Sequence, residues 1–289
     1  MSDSYDDSLS DISIMNATAK WPGQYETAFS NLSIKIEPGS LVGVIGPVGS
    51  GKSSLFSLFL NELDGYQCEF GELAYVPQEA WIFGGTIREN ILIGRKFDSK
   101  LYQSVVQVCS LISDFSNFPD RDQTLVGEKG VTLSGGQRAR INLARAAYGD
   151  ENIFLLDDPL AAVDTKVVND LYSNAICGYL KNKTRILVTH HLNLLSNADQ
   201  IICFKDRKIV FNGKFEEIKY SDDEFLRKMI NTDVIEPVIE SETEPNPKST
   251  SADFIQDNQK EFLKVEEKKT GKLGIRSGFE IHPGSRWKW

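Results

Sequence analysis

Long apolar runs are missing from this chain of 289 residues. Stretches such as Ile153-Phe154-Leu155-Leu156 fall far short of the roughly 18 to 20 residues that a membrane-crossing helix needs. A folded, soluble domain that does not cross a bilayer is therefore expected. Cysteine and histidine are scarce. Cys68, Cys109, Cys177 and Cys203 form no C-x-x-C pair, and the 3 histidines give no metal-ligand spacing with them, so the cysteines read as reduced thiols, mostly core packing. A basic excess is also lacking: the net charge of -9 excludes the footprint of a nucleic-acid-binding surface, and no nucleic-acid partner is expected. The opening Met1-Ser2-Asp3-Ser4-Tyr5-Asp6-Asp7-Ser8 has neither a basic end nor an apolar middle, as a secretory signal or presequence would. Residence in the cytosol follows as the expectation.

What is present is the content of a folded core, 40% hydrophobic residues. From about Asp11 to Ile230, short apolar runs alternate with longer helix-like stretches; residues 1–10 and 231–289 read as a disordered start and a disordered acidic, then Lys-rich, tail. Ser40–Ile45, Asn152–Leu156 and Thr184–Thr189 are rich in Val, Ile and Leu without period-two alternation, which predicts strands buried on both faces. The class predicted is α/β, a mostly parallel sheet flanked by helices. Ser13–Trp21 and Leu32–Ile36, joined by a turn at Pro22 and Gly23, add a small antiparallel flank. Gln103–Leu111 and Ser134–Tyr148 read as helices of a mainly helical insertion. Gly46, Asp157 and His190 each follow one of the three runs directly, and ligands of such sheets bind beyond the strands' C-terminal ends, so these distant residues should converge.

The first chemical motif is Gly46-Pro47-Val48-Gly49-Ser50-Gly51-Lys52-Ser53, which fits G-x-x-x-x-G-K-[ST] between a buried strand and an amphipathic helix beginning near Gly51. Glycines let backbone N–H groups turn toward phosphate oxygens, Lys52 places a charge on the outer phosphates, and Ser53 can ligate magnesium; Ser54 is counted with the nucleotide contacts. Ile153-Phe154-Leu155-Leu156-Asp157 is the complementary strand, ending in a carboxylate that can reach the magnesium through a water. Together the two specify a P-loop NTPase using ATP and Mg2+. A second anion-binding device is Leu133-Ser134-Gly135-Gly136-Gln137, where Ser134 can cap a helix and the glycines leave N–H groups open at its N-terminus.

The ordered set of phosphate loop, Gln78, L-S-G-G-Q, apolar-Asp-Asp and Val188-Thr189-His190 resembles the nucleotide-binding domain of ATP-binding cassette (ABC) proteins over about Ser10 to Ile230, with a helical subdomain at about 79–150. The resemblance implies that two such domains pack head to tail, each ATP lying between the phosphate loop of one and the signature of the other. It implies that Gln78 touches magnesium and senses the γ-phosphate, that His190 contacts that phosphate, and that Trp21 stacks on adenine, for which an indole face is suited. Ala74–Phe83 with Thr86–Ile91, Gly127-Glu128-Lys129-Gly130 and Asp157–Asp164 further resemble the first nucleotide-binding domain of the multidrug-resistance-associated, or C, subfamily.

Most members of the wider family carry Glu after the strand-ending Asp, as general base; here Asp158 stands there. One methylene fewer draws the carboxylate back by more than an ångström, so slow hydrolysis at this chain's own site is expected. The implied partners are a second nucleotide-binding domain and transmembrane domains absent from this chain, placing it at the cytoplasmic face of a membrane. The ending Ile275–Trp289 fits no transmembrane helix, which points to a fragment, an alternative transcript or a truncated gene model. A stand-alone soluble nucleotide-binding protein is the alternative.

Overall fold

The computed structural model describes residues 12–127, 130–221 and 223–227. The expectations for residues 1–10 and 231–289, and for Glu128 and Lys129 of the C-subfamily pattern, lie outside the described residues. An antiparallel pair comes first, β1 (Ile12–Lys20) and β2 (Thr27–Ile36), turning at Pro22 and Gly23. β3 (Leu41–Ile45) runs into the phosphate loop and α1 (Lys52–Phe59). β4 (Leu73–Val76), the short β5 (Gly85–Thr86), α2 (Ile87–Leu92), α3 (Ser99–Val108), α4 (Ile112–Asn117), the short β6 (Leu125–Val126) and α5 (Gly135–Ala147) follow. β7 (Ile153–Asp157) leads to α6 (Thr165–Asp170), which continues as a π-helical stretch, Leu171–Tyr179. β8 (Thr184–Val188), the hairpin β9 (Gln200–Lys205) and β10 (Lys208–Gly213), and α7 (Phe215–Lys219) follow, and short 3-10 helices lie at Arg121–Gln123 and Leu192–Asn197.

The main sheet has the order β10-β9-β3-β8-β7-β4. Its neighbours are parallel except for the β9–β10 hairpin. β3, β7 and β8 are buried at every position, as runs rich in Val, Ile and Leu without alternation require when both faces of the sheet are covered. Register fixes where the site falls. Val44 pairs with Val188, and Val188 also pairs with Asp157, so the ends of β3, β8 and β7 lie side by side and their following loops open on one edge.

Two apolar clusters fill the faces. One joins Ile14 and Phe29 of the antiparallel flank to Ile153 and Ile186 of the main sheet, with Leu55, Phe56, Leu58 and Phe59 of α1 between them. That sandwiching corrects the sequence expectation for α1: every residue from Leu55 to Phe59 is buried, because the helix has a sheet on both sides rather than one apolar face and one wet one. On the opposite face, Ile87 and Ile91 of α2, Val105 of α3 and Ile141 of α5 pack with Leu156 and Leu187. Among the described residues, no helix is long and apolar enough to cross a membrane.

Candidate functional site

The phosphate loop leaves β3 at Gly46 with φ 148°, and a Cβ there would sit 2.3 Å from the Phe204 carbonyl oxygen and 2.6 Å from Ser50 Oγ. Only a residue without a side chain lets the loop lie this close to β9. Pro47 accepts a hydrogen bond from the Ser50 N–H at 3.2 Å, and Val48 projects into solvent at the loop tip. Gly49 and Gly51 take positive φ, and α1 starts at Lys52. The Lys52 ammonium folds back over the loop, donating to the carbonyls of Gly46 at 2.7 Å and Pro47 at 2.9 Å. Ser53 is exposed and Ser54 half-buried on the first turn of α1.

Beside this loop stand the carboxylates. Asp157 ends β7, and the Tyr75 hydroxyl donates to its Oδ2 at 3.5 Å. Asp158 then reverses the chain at φ 45°, its N–H bonded to the Val188 carbonyl at 3.0 Å. Its Oδ2 lies 3.7 Å from Nε2 of the largely exposed His190, while its buried Oδ1 has no hydrogen-bond partner. Burial pushes the Asp157 carboxyl above the usual carboxylate range and the charge of Asp158 adds to the rise, against the Tyr75 hydroxyl and Lys52. Burial also holds the Lys52 ammonium below the ordinary lysine range, with Asp157 and Asp158 opposing. A buried, undercompensated carboxylate suits a hard cation, which takes oxygen donors, so the chemistry of Asp157 fits magnesium.

A carboxyl whose folded pKa is raised holds its proton more tightly folded than unfolded, so its ionisation withdraws stability as pH climbs from the unfolded to the folded value. Asp157→Asn is therefore expected to raise the melting temperature of the nucleotide-free protein at neutral pH, the gain shrinking toward acid pH. Thermal melts across a pH series check this; a lower melting temperature at neutral pH would show that attraction to Lys52 outweighs the burial cost.

The other sequence-predicted residues sit on other elements. Gln78 is exposed just past β4, after Pro77, whose carbonyl accepts from Asn142 Nδ2 of α5 at 3.4 Å. Trp21 is half-buried at the end of β1, packed against the flank cluster. Leu133 is buried, and Ser134 caps α5: its Oγ accepts from the Gln137 N–H, and Gln137 Oε1 accepts from the Ser134 N–H. Gly135 and Gly136 open the helix against the turn after Asp158; a Cβ on Gly136 would lie 3.1 Å from the Ala162 carbonyl oxygen. Among the described residues, no hydrogen bond or ion pair joins Leu133–Gln137 to the phosphate loop.

Sequence reasoning missed the groups that hold these motifs. Gln137 Nε2 donates to Asp114 Oδ1 at 3.2 Å, and Arg140 forks onto both oxygens of the same carboxylate at 2.7 to 2.9 Å, tying the signature helix to α4. Arg145, brought down to about 10 by burial, bonds Asn90 of α2 and lies over the Trp81 ring. Neither Asp114 nor Tyr75 carries a local pattern that marks it; both act through side chains distant in sequence.

A phosphate loop and a strand-ending carboxylate at the C-terminal edge of a mostly parallel sheet define a P-loop ATPase. Residues 29–161 match the ABC transporter family. The chain is 44% identical over 234 residues to human ATP-binding cassette sub-family C member 4, covering 79% of this chain and 18% of that protein. It is 46% identical over 211 residues to the probable multidrug resistance-associated protein lethal(2)03659 of Drosophila melanogaster, covering 72% and 15%. With rat ATP-binding cassette sub-family C member 3 the identity is 44% over 225 residues, covering 76% and 15%. The chain belongs to the ABC transporter family and carries its nucleotide-binding domain, of the C-subfamily type. It spans less than a fifth of the length of these relatives.

Proposed function

We propose that this domain binds ATP with magnesium at Gly46–Ser54, holds it longer than it hydrolyses it, and pairs head to tail with a second nucleotide-binding domain to couple ATP use to export. The observation that carries the reading is the meeting of Lys52, Asp157, Asp158 and His190 at the ends of β3, β7 and β8, while Ser134, Gly135 and Gly136 present a separate helix N-terminus. Lys52 meets the outer phosphates once they draw it off the Gly46 and Pro47 carbonyls. Ser53, Gln78 and Asp157 hold magnesium, which when bound neutralises charge on the β- and γ-phosphate oxygens. Trp21 stacks on the adenine. Asp158, with His190 beside it, orients the attacking water weakly for want of reach. The N–H groups of Ser134, Gly135 and Gly136 serve a partner's nucleotide in trans.

Within the C subfamily the Asp158 substitution and the residues around Trp81 and Gly130 favour the first of two domains. On that reading the domain sits at the cytoplasmic face of a membrane, against transmembrane domains. Equilibrium titration of a fluorescent ATP analogue with and without magnesium tests the site. Lys52→Ala is expected to weaken binding by about tenfold or more through the lost charge-assisted bonds, and Trp21→Ala by about fivefold or more through lost stacking. Unchanged affinity in both would overturn the assignment.

A further inference from the structure

β9 and β10 pair with Lys205 opposite Lys208, leaving a two-residue turn, Asp206–Arg207. Both residues have positive φ, 49° and 62°. This left-handed pair is what the tightest hairpin turns need, and Asn-Gly or Asp-Gly supplies it at least cost. An arginine in the second position bears a steric cost that glycine would not. Its guanidinium nonetheless has partners on residues 26 and 27. Nη1 donates to the Thr27 carbonyl at 2.9 Å and to Glu26 Oε2 at 3.3 Å, and Nη2 donates to Glu26 Oε2 at 3.2 Å. The N–H of the same residue donates to the Ser50 carbonyl of the phosphate loop at 3.0 Å. Its Cα lies 3.5 Å from the place a Cβ on Gly51 would take.

One residue thus grips the phosphate loop with its backbone and residues 26–27 with its guanidinium. Residues 26–27 close the turn that carries Trp21 and the fully exposed Tyr25. The opposite end of that turn is held by reciprocal bonds of 2.9 Å between Lys20 and Asp64, beyond the end of α1. Of these two anchors, Arg207 is the one that bonds the phosphate loop itself.

We propose that Arg207 is a positioning residue for base recognition, holding the aromatic turn in fixed relation to the phosphate loop so that base and triphosphate are read as one ligand. The inference rests on the reading that Gly46–Ser54 and Trp21 bind ATP. Arg207 acts through the turn. Ion pairs as exposed as Arg207–Glu26 contribute little to folding, and glycine relieves the left-handed strain while keeping the N–H that bonds Ser50. Arg207→Gly therefore separates positioning from folding.

The test titrates the full chain, as wild type, Arg207→Gly and Arg207→Lys, with ATP and with inorganic tripolyphosphate, both with magnesium. Arg207→Gly is expected to melt no lower than wild type and to bind tripolyphosphate equally, while the advantage of ATP over tripolyphosphate falls about fivefold or more. Arg207→Lys, which keeps one donor for the Thr27 carbonyl, should restore part of it. An unchanged ATP advantage in Arg207→Gly overturns the inference alone, as does an equal loss for both ligands. A wild type that gains nothing from the base sinks the Trp21 assignment and the inference with it, and a wild type that binds neither ligand sinks the nucleotide site as well.

Discussion

Gly46→Ala is expected to weaken ATP binding by more than about a hundredfold, the largest loss from any single methyl group in the site. The methyl would meet the Phe204 carbonyl oxygen at 2.3 Å and Ser50 Oγ at 2.6 Å, with backbone φ at 148°. A rotamer change of Ser50 can relieve the second contact. It cannot relieve the first, because Phe204 belongs to β9, whose neighbour Cys203 pairs with Ile45 immediately before the loop. Either the loop lifts from β9 or the strands separate. The backbone strain costs about 1 to 3 kcal/mol, and forcing a methyl into packed structure about as much again. Together these reach the roughly 2.7 kcal/mol that a hundredfold loss requires. Lifting the loop also misdirects the N–H groups that, on the proposed reading, face the phosphates. Calorimetric titration with magnesium–ATP measures the effect, and far-UV circular dichroism checks that the sheet survives. Affinity within about threefold of wild type would mean that the loop accommodates the methyl and that its position against β9 is not what binds phosphate.

Asp158→Glu is expected to speed single-turnover hydrolysis by about tenfold to a hundredfold, since a well-placed general base contributes about a hundredfold or more. Reach decides the matter. Asp158 turns back at φ 45° with its N–H fixed to Val188, so its carboxylate stays next to the end of β8, 3.7 Å from His190 Nε2. One oxygen is buried without a partner. A glutamate on the same backbone carries the carboxylate one methylene outward, and both residues bear the same charge beside Lys52 and Asp157, so ATP affinity should stay nearly constant. A changed rate at constant affinity isolates the chemical step. Equal rates in the two proteins would remove the argument from reach.

The contrast between these two positions marks how far the sequence was readable. That an Asp stands at residue 158, directly after the strand-ending carboxylate, needs no structure, because the strand-ending motif defines its place. That residue 46 tolerates no methyl depends on a carbonyl 158 positions further along the chain. Trp21 shows the intermediate case. Its place at the end of β1 follows from the Pro-Gly turn, but the bonds from residue 207 that hold the turn have a sequence separation of 180. The signature is similar: Ser134 was readable as a cap, whereas the carboxylate gripping Gln137 and Arg140 comes from Asp114, in a short helix with no pattern of its own.

By itself, the sequence determined the α/β class, the three buried strands, the phosphate loop and the capped signature helix. Each of these follows from constraints acting within a few residues: non-alternating apolar runs for buried strands, glycines for tight turns around phosphate, and a serine for an orphan helix terminus. Tertiary structure decided which side chains hold those motifs in place. Register set Val44 and Asp157 on either side of Val188, close packing confined residue 46 to glycine, and a hairpin turn put Arg207 between the phosphate loop and the aromatic turn. Such contacts join residues that only the folded sheet brings within bonding distance, and a local pattern carries no trace of a partner more than a hundred positions away.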